Sequence, residues 1–257
     1  MKLIDVTNQK GGVAKSTTVA NFVFYIGNIL NKKVLHIDGD EQGNSGDTLS
    51  QYQVSGFDSY KFFEPTKLDV PNFSGNILSA RSSSELVKIE KNVTGLDDAG
   101  LIQTLADRIK DVADHFDYIV VDTAGSNSRI ANSFLLVADF ALIPTTIDEY
   151  AMKITQRSLK RVIGVQKSYR PDLVFLGLLP TRIDTRSPTV KKDLESLLVN
   201  YSQYVLPVKT TERQPYRTAA SRGVPVWELK SSGSERDTGK ELLQVFDLIA
   251  KRIGVEQ

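Results

Sequence analysis

The segment Asn8-Gln9-Lys10-Gly11-Gly12-Val13-Ala14-Lys15-Ser16-Thr17-Thr18 follows the short apolar run Leu3-Ile4-Asp5-Val6 and leads directly into a helical pattern. A strand, a glycine turn and a helix in that order make an anion cradle. The first turn of a helix has backbone N–H groups without intrahelical partners, and glycines let the chain fold them around one point. Gly11 and Gly12 supply the turn, Lys15 a point charge for β- and γ-phosphate oxygens, and the Ser16 hydroxyl a ligand for Mg2+. The general pattern G-x-x-x-x-G-K-[ST] is modified here. Gln9 and Ala14 stand where the flanking glycines would be, and an additional lysine, Lys10, precedes the glycine pair. A glycine turn before a helix is by itself only a helix start. With both lysines and the hydroxyl it predicts a nucleoside triphosphate site, held by Gly11, Gly12, Val13, Ala14, Lys15, Ser16 and Thr17.

Two further blocks bring carboxylates to strand ends. Val34-Leu35-His36-Ile37-Asp38 is an apolar strand that runs into Gly39-Asp40-Glu41-Gln42-Gly43-Asn44, and Tyr118-Ile119-Val120-Val121 delivers Asp122 into Thr123-Ala124-Gly125. In an open α/β sheet the carboxyl ends of the strands border the ligand crevice, so Asp38, Asp40 and Asp122 are placed for a site. Asp38 and Asp40 could equally cap the next helix, a position that Asp favours.

The three blocks together carry a resemblance. K-G-G-x-x-K-[ST] resembles the deviant Walker A motif of the ParA/MinD ATPases, Asp38 to Asn44 resembles the D-x-D-P-Q-G-N segment of the ParA branch with Glu41 in place of Pro, and the third block resembles a Walker B strand. The resemblance covers residues 8–125 and implies ATP and Mg2+ as cofactors. Lys10 would be the signature lysine that reaches the partner's nucleotide across a dimer, Lys15 the ordinary phosphate lysine, and Asp40 the carboxylate that orients the attacking water. Asp122 would hold Mg2+ opposite Ser16, with Asp38 as a third metal residue. Many relatives have Pro after D-T where this chain has Ala124.

At 257 residues with 40% apolar content the chain is long enough for one α/β domain over 1–257 and not obviously for two. It has no cysteine, which excludes disulfides, thiolate zinc sites and iron–sulfur clusters. Strands are expected at 2–7, 34–38, near 76–78, and at 118–122, 139–143, 173–179 and 204–208; helices at about 15–30, 98–114, 128–137, 149–168, 188–200 and 238–253. This alternation predicts a doubly wound, mostly parallel sheet with helices on both faces. Residues 45–75 lack clean periodicity and read as loops and short helices. His36 and His115 read as core or surface residues, and Trp227 as packing on the last helix. That helix places Leu242, Leu243, Phe246, Ile249 and Ile253 on one face, a core stripe in preference to a membrane anchor. With its first strand entered by residue 3, no targeting segment or membrane span is expected, and neither is an N-terminal helix-turn-helix; the expected location is the cytoplasm, and the resemblance implies association with the nucleoid there.

Charge is unevenly divided. Residues 1–150 hold 13 Lys and Arg against 20 Asp and Glu, a net −7, whereas residues 151–257 hold 19 against 11, a net +8. The basic half includes Lys153, Arg157, Lys160 and Arg161 within one helix; it reads as a nucleic-acid footprint or as a solvated face. Arg213-Gln214-Pro215-Tyr216-Arg217-Thr218-Ala219-Ala220-Ser221-Arg222-Gly223 is similar to the R-x-x-Y/F-x-x-A-x-x-x-G stretch of small plasmid-type ParA proteins, which implies non-specific DNA contacts by Arg213, Arg217 and Arg222. Arg182, in Leu179-Pro180-Thr181-Arg182, matches where the family meets the adenine base, or is a simple loop residue. The resemblance as a whole implies a partition ATPase. It would form an ATP-sandwich homodimer, bind duplex DNA without reading bases, and answer to a ParB-type centromere-binding partner. The alternatives are a MinD-like membrane-binding positioning protein, which needs a basic amphipathic tail beyond Gly254-Val255-Glu256-Gln257, and a metabolic ATPase on the same loop.

Overall fold

The computed structural model describes residues 1–147 and 149–255. Seven strands form one sheet: β1 (Lys2–Val6), β2 (Val34–Gly39), β3 (Gln53–Asp58), β4 (Ile77–Arg81), β5 (Tyr118–Thr123), β6 (Phe140–Thr145) and β7 (Val174–Pro180), in the spatial order β3-β4-β2-β5-β1-β6-β7. All pairings are parallel. The inner strands β2, β5 and β6 are buried at every position, as their apolar runs require when both faces are covered.

The helices among the described residues are α1 (Lys15–Phe24), α2 (Asn44–Thr48), α3 (Leu86–Glu90), α4 (Asp98–Val112), α5 (Arg129–Val137), α6 (Glu149–Ser168), α7 (Pro188–Tyr201), α8 (Pro215–Arg222) and α9 (Gly233–Arg252). One face of the sheet, with Leu3, Ile37 and Val121, packs on Leu105 of α4, Phe134 of α5 and Val162 of α6. The opposite face, with Ile4, Val6 and Val120, packs on Phe22 of α1 and Phe246 of α9. Trp227 packs edge-on against Phe246, and Leu242, Phe246, Ile249 and Ile253 are all buried, so the last helix is a core element.

Four differences from the sequence reading have local causes. The helix expected over 15–30 is α-helical only to Phe24 and closes with a π turn, Tyr25–Ile29; Gly27 lies in that turn, where a methyl group would collide with the buried Ile77 at the start of β4. The strand expected at 204–208 is reduced to a bridge between Leu178 and Val205, held by Leu178 N–H to the Tyr204 carbonyl at 2.7 Å and Leu206 N–H to the Leu178 carbonyl at 2.9 Å, and Gly177, at φ 132°, leaves room for Tyr204 and Leu206 to approach β7 closely. The 45–75 segment contains an edge strand, β3, which meets β4 at Gln53–Ser79 and Asp58–Arg81 with an irregular register between them. The last helix starts earlier than 238, fixed by a capping box in which Ser232 and Glu235 each bond the other's backbone N–H.

With every strand running the same way, the loops after β1, β2, β5 and β7 emerge at one edge of the sheet. The register sets Asp38 directly beside Asp122 across β2 and β5. The three sequence blocks therefore converge at that edge.

Candidate nucleotide site

The cradle is built by two left-handed residues, Gly12 at φ 74° and Ala14 at φ 61°. The second is unusual, since an L-residue costs about 1–2 kcal/mol there. Neighbouring groups hold the loop in this shape. Thr181 Oγ1 donates to the Val13 carbonyl at 3.0 Å, Arg182 Nη1 donates to the Gly12 carbonyl at 2.8 Å, and Lys10 N–H donates to Asn8 Oδ1 at 3.0 Å. From beneath, Ser158 of α6 accepts from Gln9 N–H at 3.0 Å and donates to Asn8 Oδ1 at 3.1 Å. Gly125 lies against the loop so closely that a Cβ there would sit 3.0 Å from Gly11 N.

Over the cradle is a cavity of about 530 Å³, within the usual range for small-molecule sites. Gly11, Gly12, Ala14, Lys15, Ser16 and Thr17 line one side, Asp40 and Gly125 a second, and Arg182, Glu212, Arg213 and Arg217 the far end. The Lys15 ammonium bonds the Lys10 carbonyl at 3.2 Å; burial lowers its pKa, and Asp122, Asp40 and Asp5 act in the opposite direction. Lys10 Nζ donates to Thr146 Oγ1 at 3.3 Å, beyond the end of β6.

The three carboxylates differ. Asp38 is fully buried and its oxygens are engaged by its own loop: they accept from Asp40 N–H at 3.1 Å, Ser45 Oγ at 3.0 Å and Gly46 N–H at 2.8 Å. Asp38, expected as a metal residue or as a cap of the next helix, thus bonds the first turn of α2 from outside the N-cap position, which is Gly43. Asp122 is equally buried, yet among the described residues neither of its oxygens makes a hydrogen bond of normal geometry. Burial raises the pKa of both, and for Asp38 the neighbouring Asp122 adds to the rise; the nearby Ser16 hydroxyl and Lys15 ammonium oppose it at Asp122. A buried, unspent carboxylate beside a serine hydroxyl and an ammonium group is a fit for a hard divalent cation. Among the described residues no three His, Cys, Asp or Glu side chains form a ready-made metal cage. Asp40 accepts from Gln42 N–H at 3.0 Å and lines both the main cavity and a second of about 260 Å³ beside Glu41, Glu90 and Ser126.

At the far end Arg182, itself left-handed at φ 54°, holds Glu212 bidentately at 2.6 and 3.0 Å. Glu212 was not legible as a site residue; nor was Tyr216, whose hydroxyl donates to Glu241 at 3.2 Å and whose pKa is raised by burial and that carboxylate. Arg213 and Arg217, expected on a DNA surface, line the nucleotide cavity. Arg213 Nε donates to Thr211 Oγ1 at 2.7 Å and pairs with Asp237 at 3.8 Å, and Arg217 pairs with Glu212 at 3.8 Å. Arg222 is exposed at the end of α8.

A protein-family profile described as an AAA domain (AAA_31) matches residues 1–175. The chain is 29% identical to protein IncC of Escherichia coli over 262 residues, which is 100% of this chain and 71% of IncC. It is 26% identical to the chromosome partitioning protein ParA of Myxococcus xanthus, over 95% of this chain and 88% of that one. An ATP complex of McdA from Cyanothece has the same fold, with a TM-score of 0.79 at 20% identity over 100% of this chain and 98% of McdA. Because the profile spans the whole run from β1 into β7, more than half of the sequence, the chain belongs to this AAA-domain family, in the ParA-type branch marked by its two-lysine phosphate loop.

Proposed function

We propose that the protein is a DNA-partition ATPase: it binds ATP with Mg2+ in the 530 Å³ cavity, pairs with a second copy while ATP is bound, holds duplex DNA without reading its sequence, and is released when a ParB-type partner stimulates hydrolysis. The observation that carries the nucleotide part is Asp122, whose two sealed oxygens make no hydrogen bond of normal geometry among the described residues although Ser16 and Lys15 stand beside them. The partition part rests on similarity to proteins such as IncC and ParA.

Ser16 and Asp122 would hold Mg2+, which when bound supplies positive charge for the β- and γ-phosphate oxygens. The backbone N–H groups from Gly11 to Thr17 cradle those oxygens, and Lys15 contributes a counter-charge in a buried setting where it is strong. Asp40, on the loop after β2 and at the cavity wall, orients the attacking water. Asp38 positions that loop by its bonds to Asp40, Ser45 and Gly46. Lys10 serves the partner's nucleotide, an assignment in keeping with its place outside the set of residues that line its own cavity. Arg182 and Glu212 shape the end that receives the base.

Three variants test the reading. Lys15→Ala should lose ATP binding in calorimetry, Lys10→Ala should keep it but lose ATP-dependent dimerisation in light scattering, and Asp40→Ala should bind and dimerise without turnover. A Lys10→Ala protein that dimerises with ATP as the parent does would remove the role in trans.

A further inference from the structure

Two of the three arginines expected to touch DNA are engaged within the chain: Arg213 pairs with Asp237, and Arg217 with Glu212, which Arg182 also holds, while Arg222 is exposed with no ion pair among the described residues. Helix α6 is different. From Tyr150 to Ser168 it contains no acidic residue, and Lys153, Arg157, Lys160 and Lys167 fall at intervals that place them on one narrow stripe along the helix, together with Gly164. All four are exposed, and Arg157, Lys160 and Lys167 make no ion pair among the described residues. The inward side of the same helix is joined to the phosphate loop through Ser158, and on its flank the half-buried Arg161 interacts with the Asp5 carboxylate of β1.

We propose that the outer stripe of α6, centred on Arg157, Lys160 and Lys167, is the surface that holds duplex DNA through its phosphates; this rests on the DNA-binding part of the proposed function and moves the contact away from Arg213 and Arg217. The stripe from Lys153 to Lys167 is about 21 Å long at the helical rise, a length over which duplex DNA carries on the order of a dozen phosphate charges. Uniform positive charge without aromatic or large apolar anchors suits a polyanion and lacks the apolar centre of a protein interface. Only Gln156 and Gly164 are exposed between the cations. Because Ser158 bonds Asn8 and Gln9, the stripe is carried on an element that touches the phosphate loop itself, a direct route for the nucleotide to set its position.

The test uses the full chain with ATP and Mg2+ and labelled duplexes of unrelated sequence, titrated between about 50 and 200 mM salt. In the variant Arg157→Gln, Lys160→Gln, Lys167→Gln, affinity should fall at least tenfold on every duplex, and the slope of log affinity against log salt should flatten by about 2 to 3 units, near 0.9 for each lost phosphate contact. ATP binding in calorimetry and ATP-dependent dimerisation should be unchanged, which separates a lost surface from a lost fold. The double variant Arg213→Ala, Arg217→Ala should retain more of the slope than the triple variant does. A triple variant with the parent's affinity and slope overturns the assignment while leaving DNA binding intact. A triple variant that loses poly-glutamate but keeps DNA overturns it in favour of an acidic protein partner. A parent that hydrolyses ATP and leaves every duplex unbound overturns the DNA reading and this surface with it.

Discussion

Asp5 sits inside the central strand with no exposed surface, and neither of its oxygens has a hydrogen bond of normal geometry. Burial raises its pKa from 3.8 to about 7, while the Arg161 guanidinium, the Thr123 hydroxyl and the Lys15 ammonium lower it only in part. In the folded state the proton is therefore held more tightly than in the unfolded chain, so between pH 4 and pH 7 stability falls as pH rises. A shift of that size is worth at most on the order of 4 kcal/mol above the folded pKa. Asp5→Asn should raise the urea midpoint at pH 8 and flatten its dependence between pH 4 and pH 7; an unchanged or lower midpoint at pH 8 would show that Arg161 already compensates the charge. Such a residue could be named from the sequence but not interpreted, since Leu3-Ile4-Asp5-Val6 tells neither which way Asp5 points nor what faces it. His36 had the same ambiguity. Its Nδ1 and Nε2 bond Ser79 and Ser45, at 2.8 and 3.0 Å, and burial pushes its pKa down to about 3, which makes it a neutral core residue.

At the scale of elements, close approaches set what each segment tolerates. Gly125 follows β5 and packs on the backbone of the phosphate loop, which cannot yield as a side-chain tip would. Gly125→Ala should therefore lower ATP affinity by about tenfold or more with little change in melting temperature, calorimetry against thermal unfolding being the comparison. Gly27→Ala should do the reverse. Its methyl meets the buried Ile77, so stability should drop by roughly 1–3 kcal/mol in denaturant unfolding while nucleotide affinity holds. Ser158→Ala leaves α6 folded but removes its bonds to Asn8 and Gln9, and should narrow the difference in DNA affinity between ATP and ADP states. The long elements were legible because their apolar period is strong, as in α6, which runs 149–168 as expected, and in β2, β5 and β6. The edge was not. β3 pairs at two points on one side only, α8 is an eight-residue helix opened by Pro215, and 204–208 bonds β7 intermittently; each depends on tertiary neighbours more than on its own sequence.

The whole molecule joins a site whose motifs all precede residue 126 to a wall supplied much later. Asp38, Asp40, Asp122 and the cradle were readable as one constellation because parallel strands deliver them to the same edge. The far wall was only partly readable: Arg182 reaches Gly12 across 170 residues, and its partner Glu212 belongs to no motif. A fragment ending at residue 175 would hold every phosphate motif yet lack Thr181, Arg182 and the 210–217 segment that lines the cavity. It should fail to retain ATP in equilibrium dialysis, and retention equal to the full chain would show that the wall is dispensable.

The hydrogen bond from Thr181 to the Val13 carbonyl has a further meaning for how the protein is made. A chain leaving the ribosome presents its phosphate loop first and the residues that brace it last. Until residue 181 emerges, the Val13 carbonyl beside the left-handed Ala14 lacks this partner. On the proposed function, nucleotide capture would wait for Thr181 and Arg182, and a product that stalls before them should hold ATP poorly and stay out of the cycle.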